Sequence, residues 1–217
     1  VSDKTCAIIL EALQGEGGIT PATDEFMKGL RQICDEEGIL LICDEIQCGM
    51  GRTGSMFAWQ GYGVKPDIMT MAKAIGNGVP VGAFAMTKEV AEYSLEPGDH
   101  GTTYGGNPFV GAAVDKVLEL MEKEHLTEHV KEIAPYLEKR LDELVEKHEC
   151  AAARRGMGFM QGIVIAGRPV GEIVKKALEK KLLVISAGSD VLRIVPPLVI
   201  TKADIDEMAE ILDECLA

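Results

Sequence analysis

The sequence predicts an α/β protein. Part of a large, mostly parallel sheet covered on both faces is followed by a smaller α+β unit. Three observations predict it. Short apolar runs alternate with amphipathic stretches in the first half of the chain. From Pro108 the texture changes to long helices that mix charged and apolar residues. An acidic pair and a lysine stand at the ends of successive apolar runs, which is where open parallel sheets meet their ligands.

Taken in order, Cys6–Leu13 (CAIILEAL) reads as a buried strand. Pro21 to Glu37 reads as a helix, with Thr23 as its N-cap and Gly38 as its stop. Ile39–Cys43 (ILLIC) is a second strand that ends at Asp44 and Glu45. Asp67–Ala72 (DIMTMA) is a third, ending at Lys73, and Val81–Met86 is a fourth. Phe109–Lys123 and Leu126–Lys147 read as long helices, and Pro135 either kinks the second or sits in its first turn. A strand (Phe159–Ile165), a helix (Val170–Lys181), two short strands (Leu182–Ser186 and Val191–Val195) and a closing helix (Lys202–Leu216) make the smaller unit. The division is expected in or near the helices around Phe109–Pro135, giving units of residues 1–124 and 125–217.

Composition excludes several classes. The chain is 47% hydrophobic, too apolar for a disordered acidic tail. Its net charge of −13 argues against a nucleic-acid partner, which calls for a basic stripe. No apolar run approaches membrane-spanning length, and no basic-then-apolar leader opens the chain. The six cysteines form no CxxC pair, so thiols in a reducing cytoplasm are expected. No metal site is expected: His125 and His129, four apart, read as solvated helix residues. The first residue is Val rather than Met, which raises the question of whether the chain is whole.

The chemistry concentrates at the strand ends. Asp44 and Glu45 close one strand and Lys73 the next, so an acid and a lysine face one crevice. A structural ion pair, or two solvated strand ends, would explain the same placement. A lysine bracketed by apolar residues and by Gly76-Asn77-Gly78 suits a Schiff-base nucleophile, because burial frees its amine. A nearby carboxylate suits the protonated nitrogen of a pyridoxal phosphate ring. Gly49–Gly54 (GMGRTG) spells the dinucleotide fingerprint, but it begins six residues past a strand and opens no convincing helix.

The stretch Leu40–Ala83 resembles the signature of the class III, pyridoxal phosphate-dependent aminotransferases. Leu13–Ile19 (LQGEGGI), His100–Pro108 (HGTTYGGNP) and Leu182–Ile200 agree with it, in the family's order along the whole chain. The CGMGRTG wording and the SAG…R…PPL tail most resemble the bacterial acetylornithine branch.

The resemblance implies a fold type I transferase and a role for each matching position. Lys73 matches the lysine that carries the cofactor and moves the proton. Asp44 matches the partner of the pyridine nitrogen, and Gln47 that of the ring hydroxyl. Glu45 and Ile46 belong to the same cofactor-lining segment. Thr103 matches a residue reaching the phosphate in a neighbouring subunit, and Thr102 one close to that neighbour's substrate. Arg193 matches the grip on the substrate α-carboxylate, and Glu16 the acid that pairs with it when no carboxylate is bound.

The implied reaction is ping-pong transfer of the terminal amine of N-acetylornithine to 2-oxoglutarate, in arginine biosynthesis, by a homodimer with shared sites. Ornithine, succinylornithine and 4-aminobutyrate are the alternative donors. Two departures stand out. Ala12 follows Glu11 where the family commonly has proline. Family members also run to about twice this length. The half expected upstream carries the phosphate turn, the ring-stacking aromatic and a second arginine, so the chain taken alone could be catalytically silent.

Overall fold

The computed structural model describes residues 1–217. The chain opens with β1 (Ala7–Leu10) and a two-stranded ribbon of β2 (Leu13–Gln14) and β3 (Thr20–Pro21). The expected strand Cys6–Leu13 is therefore two, broken at Glu11, whose carboxylate turns back to accept the N–H of Gly15 at 2.9 Å. Next comes α1 (Asp24–Glu37). The Thr23 hydroxyl accepts the N–H of Phe26, a cap worth about 1 kcal/mol, and Gly38 stops the helix at φ +64°.

Then follow β4 (Leu40–Asp44), α2 (Ala58–Tyr62), β5 (Ile68–Ala72) and β6 (Gly82–Met86). The first sheet has the order β1-β4-β5-β6. β1, β4 and β5 are parallel, but β6 runs antiparallel to β5, with Thr70 opposite Phe84. Side chains alternate across β4. Leu41 and Cys43 are buried in one core with Met27 and Cys34 of α1. Ile42 points the other way, in register with Ile9, which is 64% exposed. One face of this sheet is thus packed and the other open.

Short α3 (Lys88–Ser94), then α4 (Pro108–Lys123) and α5 (Leu126–Lys147), lead to the second unit. Pro135 lies in the third turn of α5, not the first, on the exposed side. Its missing N–H and the freed carbonyl of Lys131 meet solvent there, so the helix runs on. His129 is also not a freely solvated residue: it is half-buried, and its ring Nε2 lies 2.9 Å from the Ile200 carbonyl.

β7 (Ala151–Met157) and β8 (Met160–Ile165) form a hairpin, followed by α6 (Val170–Glu179), β9 (Ile185–Ala187), β10 (Val191–Ile194) and α7 (Lys202–Leu216). This second sheet, ordered β7-β8-β10-β9, is antiparallel throughout. Its core gathers Leu137, Leu141, Phe159, Ile173, Leu192 and Ile205, all fully enclosed. Met160 and Val191 instead join the core of the first sheet, so the two sheets share packing. No helix is long and apolar enough to cross a membrane, and all six cysteines are free.

Candidate active site

A cavity of about 690 Å³ lies where the carboxyl ends of β4 and β5 face the second sheet. Glu16, Ile46, Gln47, Lys73 and Arg193 all line it. Five positions singled out in the sequence, from four separate segments, thus meet in one place.

Lys73 sits at a sharp corner. Ala72 is still extended, and Lys73 then turns with φ +49° into a 3-10 turn, Lys73–Ile75. That left-handed conformation costs a non-glycine residue about 1–2 kcal/mol. Such strain collects where function demands a particular direction. Gly76 closes the turn: a Cβ there would stand 2.2 Å from the Val79 carbonyl oxygen. The sequence suggested a buried lysine, but Lys73 is exposed and open to the cavity.

Arg193 lies on β10 between Leu192 and Ile194, which are buried on the opposite face. Its guanidinium Nη1 donates to Glu16 Oε1 at 2.5 Å and to Gln47 Oε1 at 3.2 Å. Gln47 Nε2 in turn donates to Glu16 Oε1 at 3.0 Å. The three side chains close a ring of hydrogen bonds. Arg193, followed by Gln47 and by the charge of Lys73, holds the Glu16 carboxyl below its usual range. Arg193 Nε is buried and has no partner. The arginine fork is therefore only partly used, as suits a site for a second carboxylate. Gly15 is needed beside this ring, since a Cβ there would lie 2.1 Å from Gln47 Oε1.

The acidic pair divides. Asp44 stands in register with Thr70, three residues before Lys73, and its Oδ1 accepts the N–H of Ile46 at 2.9 Å. It shares the open sheet face with Thr70, whose hydroxyl is buried and unpartnered, and neither of the two lines the cavity itself. Glu45 points the other way and does not line the cavity. It is 2% exposed, and its carboxylate accepts the N–H groups of Ala58 and Trp59 at 2.8 and 3.0 Å. Burial pushes its carboxyl up, while those two bonds pull the other way. Glu45 thus caps α2 instead of lining a cofactor. Strand alternation sets it on the side away from Asp44.

Thr102 and Thr103 lie in the exposed loop before α4 and do not line the cavity. His100 of that loop packs edge-on against Phe84, ring centroids 5.1 Å apart. Gly49–Gly54 is a looped segment with α2 beginning only at Ala58, so no helix N-terminus awaits a pyrophosphate there. The dinucleotide reading fails on that geometry.

Sequence reasoning missed Arg52, Asn77 and Met160, all on the cavity wall. Arg52 carried a signal, as the one cation in the glycine-rich loop. Met160 carried none, because tertiary docking alone brings β8 to the site.

Comparison with known proteins agrees with this geometry. The family model described as aminotransferase class-III matches residues 1–216. The acetylornithine aminotransferase of Caldanaerobacter subterraneus subsp. tengcongensis is 46% identical over 217 residues, covering all of this chain and 55% of that protein. That of Methanocaldococcus jannaschii is 45% identical, covering 99% and 53%. Among solved structures, Plasmodium falciparum ornithine delta-aminotransferase superposes with a TM-score of 0.91 at 34% identity, covering 97% of this chain and 55% of that one. An S-selective transaminase from Arthrobacter sp. gives 0.92 at 33% identity, covering 98% and 51%. The chain spans about half the length of the curated relatives it matches.

Proposed function

The chain belongs to the class-III aminotransferases, a pyridoxal phosphate-dependent family, and we propose that it forms part of an enzyme moving the terminal amine of N-acetylornithine to 2-oxoglutarate. The observation that carries this reading is the Arg193–Glu16 pair on the same cavity wall as Lys73. A carboxylate clamp and an amine in one cavity suit a substrate that is both an acid and an amine.

The residues present fit the cofactor. A lysine amine and an amide on the cavity wall, with a strand-end carboxylate and the unpartnered buried hydroxyl of Thr70 on the open sheet face, form a suitable donor set. Lys73, Asp44, Ile46 and Gln47 would hold it. When bound, pyridoxal phosphate supplies an electron sink for the carbon that loses its proton.

Lys73 would hold the cofactor, and its amine is the group that would take that proton and return it, as base and then acid. Asp44 would pair with the ring nitrogen. Its carboxylate is oriented by the Ile46 N–H. Gln47 can bond the ring hydroxyl with the amide that otherwise bridges Glu16 and Arg193. Arg193 binds the carboxylate of each substrate in turn, and Glu16 occupies the guanidinium between substrates. The enzyme alternates between amino donor and keto acceptor at this one clamp, which is the logic of a ping-pong cycle.

The working enzyme is proposed as a homodimer. Thr102 and Thr103 stand away from their own cavity, beside a Tyr104 that is 81% exposed, and so are free to serve a neighbour's site. A division of the chain into units of residues 1–124 and 125–217 is part of the proposal, and the end of α4 at Lys123 with the left-handed turn of His125 supports it. The names of the curated relatives support acetylornithine as the donor; a role in arginine biosynthesis is proposed with it, and six free thiols suit a cytoplasmic setting.

The structural likeness to an ornithine delta-aminotransferase favours ornithine as the second donor to consider. Steady-state rates with N-acetylornithine, ornithine, succinylornithine and 4-aminobutyrate decide between them. The proposal expects the highest kcat/KM for N-acetylornithine; a clear preference for another donor overturns that assignment.

A further inference from the structure

The Gly49–Gly54 loop takes no part in the chemistry above, yet it is anchored at both ends of the site. One anchor is Glu45. Its carbonyl accepts the N–H of Gly49 at 3.0 Å, and its carboxylate holds Ala58 and Trp59 beyond the loop. A Cβ on Gly49 would lie 2.6 Å from that carbonyl oxygen, so the loop can start there only with glycine.

The other anchor is the second sheet. The Arg52 carbonyl accepts the N–H of Phe159 at 2.8 Å, in the turn between β7 and β8. Gly158 of that turn has φ +56°, and a Cβ there would lie 2.4 Å from the same carbonyl. The Arg52 guanidinium donates to the carbonyl of Pro196, three residues past Arg193. Gly51 packs against Leu198 of the same segment, where a Cβ would come within 3.2 Å.

The Arg52 guanidinium is half-buried on the cavity wall, and the one pressure on it is loss of water. No acid compensates its charge. A cation kept that way is costly, so its position has to matter. Its one hydrogen bond joins the loop after β4 to the segment after β10.

We propose that Arg52 is a positioning residue that latches the Pro196 segment to the Gly49–Gly54 loop and so sets how far Arg193 stands from Lys73. That distance fixes which separation of carboxylate and amine a substrate can have. The proposal rests on the reading of Arg193 as the carboxylate clamp. A misplacement of about 1 Å from a change remote from the chemistry can cost about 100-fold, so a modest slackening is measurable.

The test compares the cofactor-loaded enzyme with Arg52→Met, Arg52→Lys, Arg193→Lys and the Arg52→Met/Arg193→Lys double variant. KM and kcat are read for both substrates, with hydrogen exchange at the amides of Phe159 and of residues 198–200. The latch expects Arg52→Met to raise KM for both substrates about tenfold with a smaller change in kcat. Arg52→Lys should recover part of the loss. The double variant should lose little beyond Arg193→Lys, because both changes act through one placement. Exchange at the latch should quicken in Arg52→Met. Fully additive losses would make Arg52 a direct ligand and overturn the latch, and so would an unchanged KM. If the unaltered enzyme does not transaminate at all, the functional reading fails by itself. The exchange arm then decides: faster exchange upholds the latch, and unchanged exchange refutes it.

Discussion

The guanidinium of Arg193 lies 2.5 Å from the Glu16 carboxylate, with the arginine side chain 11% exposed and the glutamate 68% exposed. The two ends of this pair are therefore unequal. Arg193 is fixed by its strand, while Glu16 stands on a glycine-rich turn and can swing into water. Glu16 behaves as a stand-in for a carboxylate that arrives from solution.

Removing the stand-in removes a competitor. Glu16→Gln should lower KM for both carboxylate substrates about two- to fivefold, since exposed ion pairs are weak. Steady-state titration of each substrate checks this. The pH dependence follows from the same contact. Arg193 lowers the Glu16 carboxyl, so the pair is complete above the usual carboxylate range and opens only as pH falls through the lowered value. The Glu16→Gln advantage should then stay constant across neutral pH and shrink only in acid.

Gly15→Ala separates function from stability. The added methyl meets the far end of Gln47, a flexible side chain that can move aside. The thermal midpoint should change little. Gln47 should move out of reach of the ring hydroxyl, and affinity for pyridoxal phosphate should drop about fivefold, given one lost hydrogen bond of about 1 kcal/mol. Cofactor titration by absorbance reads the effect.

Lys73 carries a conformational cost that its chemistry requires. In the apo protein, Lys73→Gly should be more stable than Lys73→Ala by about 1 kcal/mol, because only glycine adopts φ near +49° freely. Both variants should lack turnover. Urea unfolding of the two gives the difference.

Glu45 is tested through α2. Glu45→Ala leaves the buried N–H of Ala58 and the neighbouring N–H of Trp59 without an acceptor and should cost about 2–4 kcal/mol. Glu45→Gln keeps one acceptor and should cost less. Burial raises the Glu45 carboxyl in the fold. Its favourable share of stability is full below pH 4.5, its ordinary value, and is lost as pH rises through the raised one. Glu45→Gln should remove that decline from the pH profile of unfolding.

Much of this was legible in residues. The apolar runs of β4 and β5 located the sheet, and Thr23 and Gly38 bounded α1 as capping chemistry requires. The direction of β6 was not legible, because alternation is the same for parallel and antiparallel strands. β7 was missed for a physical reason: AAARRGM has small and charged residues, and its register shifts between Ala151 and Ala153. In the site, Glu16, Ile46, Gln47, Lys73 and Arg193 were named from motifs and do meet in one cavity. Glu45 lies on the other side of the chain from Asp44, as period-two alternation already sets it. Arg52 stood out in sequence as the one cation of its loop, but its partner Pro196 became visible only when the second sheet folded against that loop.

The central claim is that Lys73 is the group that holds pyridoxal phosphate. The cofactor-loaded enzyme is treated with borohydride, digested, and the pyridoxyl group is located by mass spectrometry. The account predicts the label on Lys73 and its disappearance in Lys73→Ala. A label on any other lysine, or none at all, contradicts it.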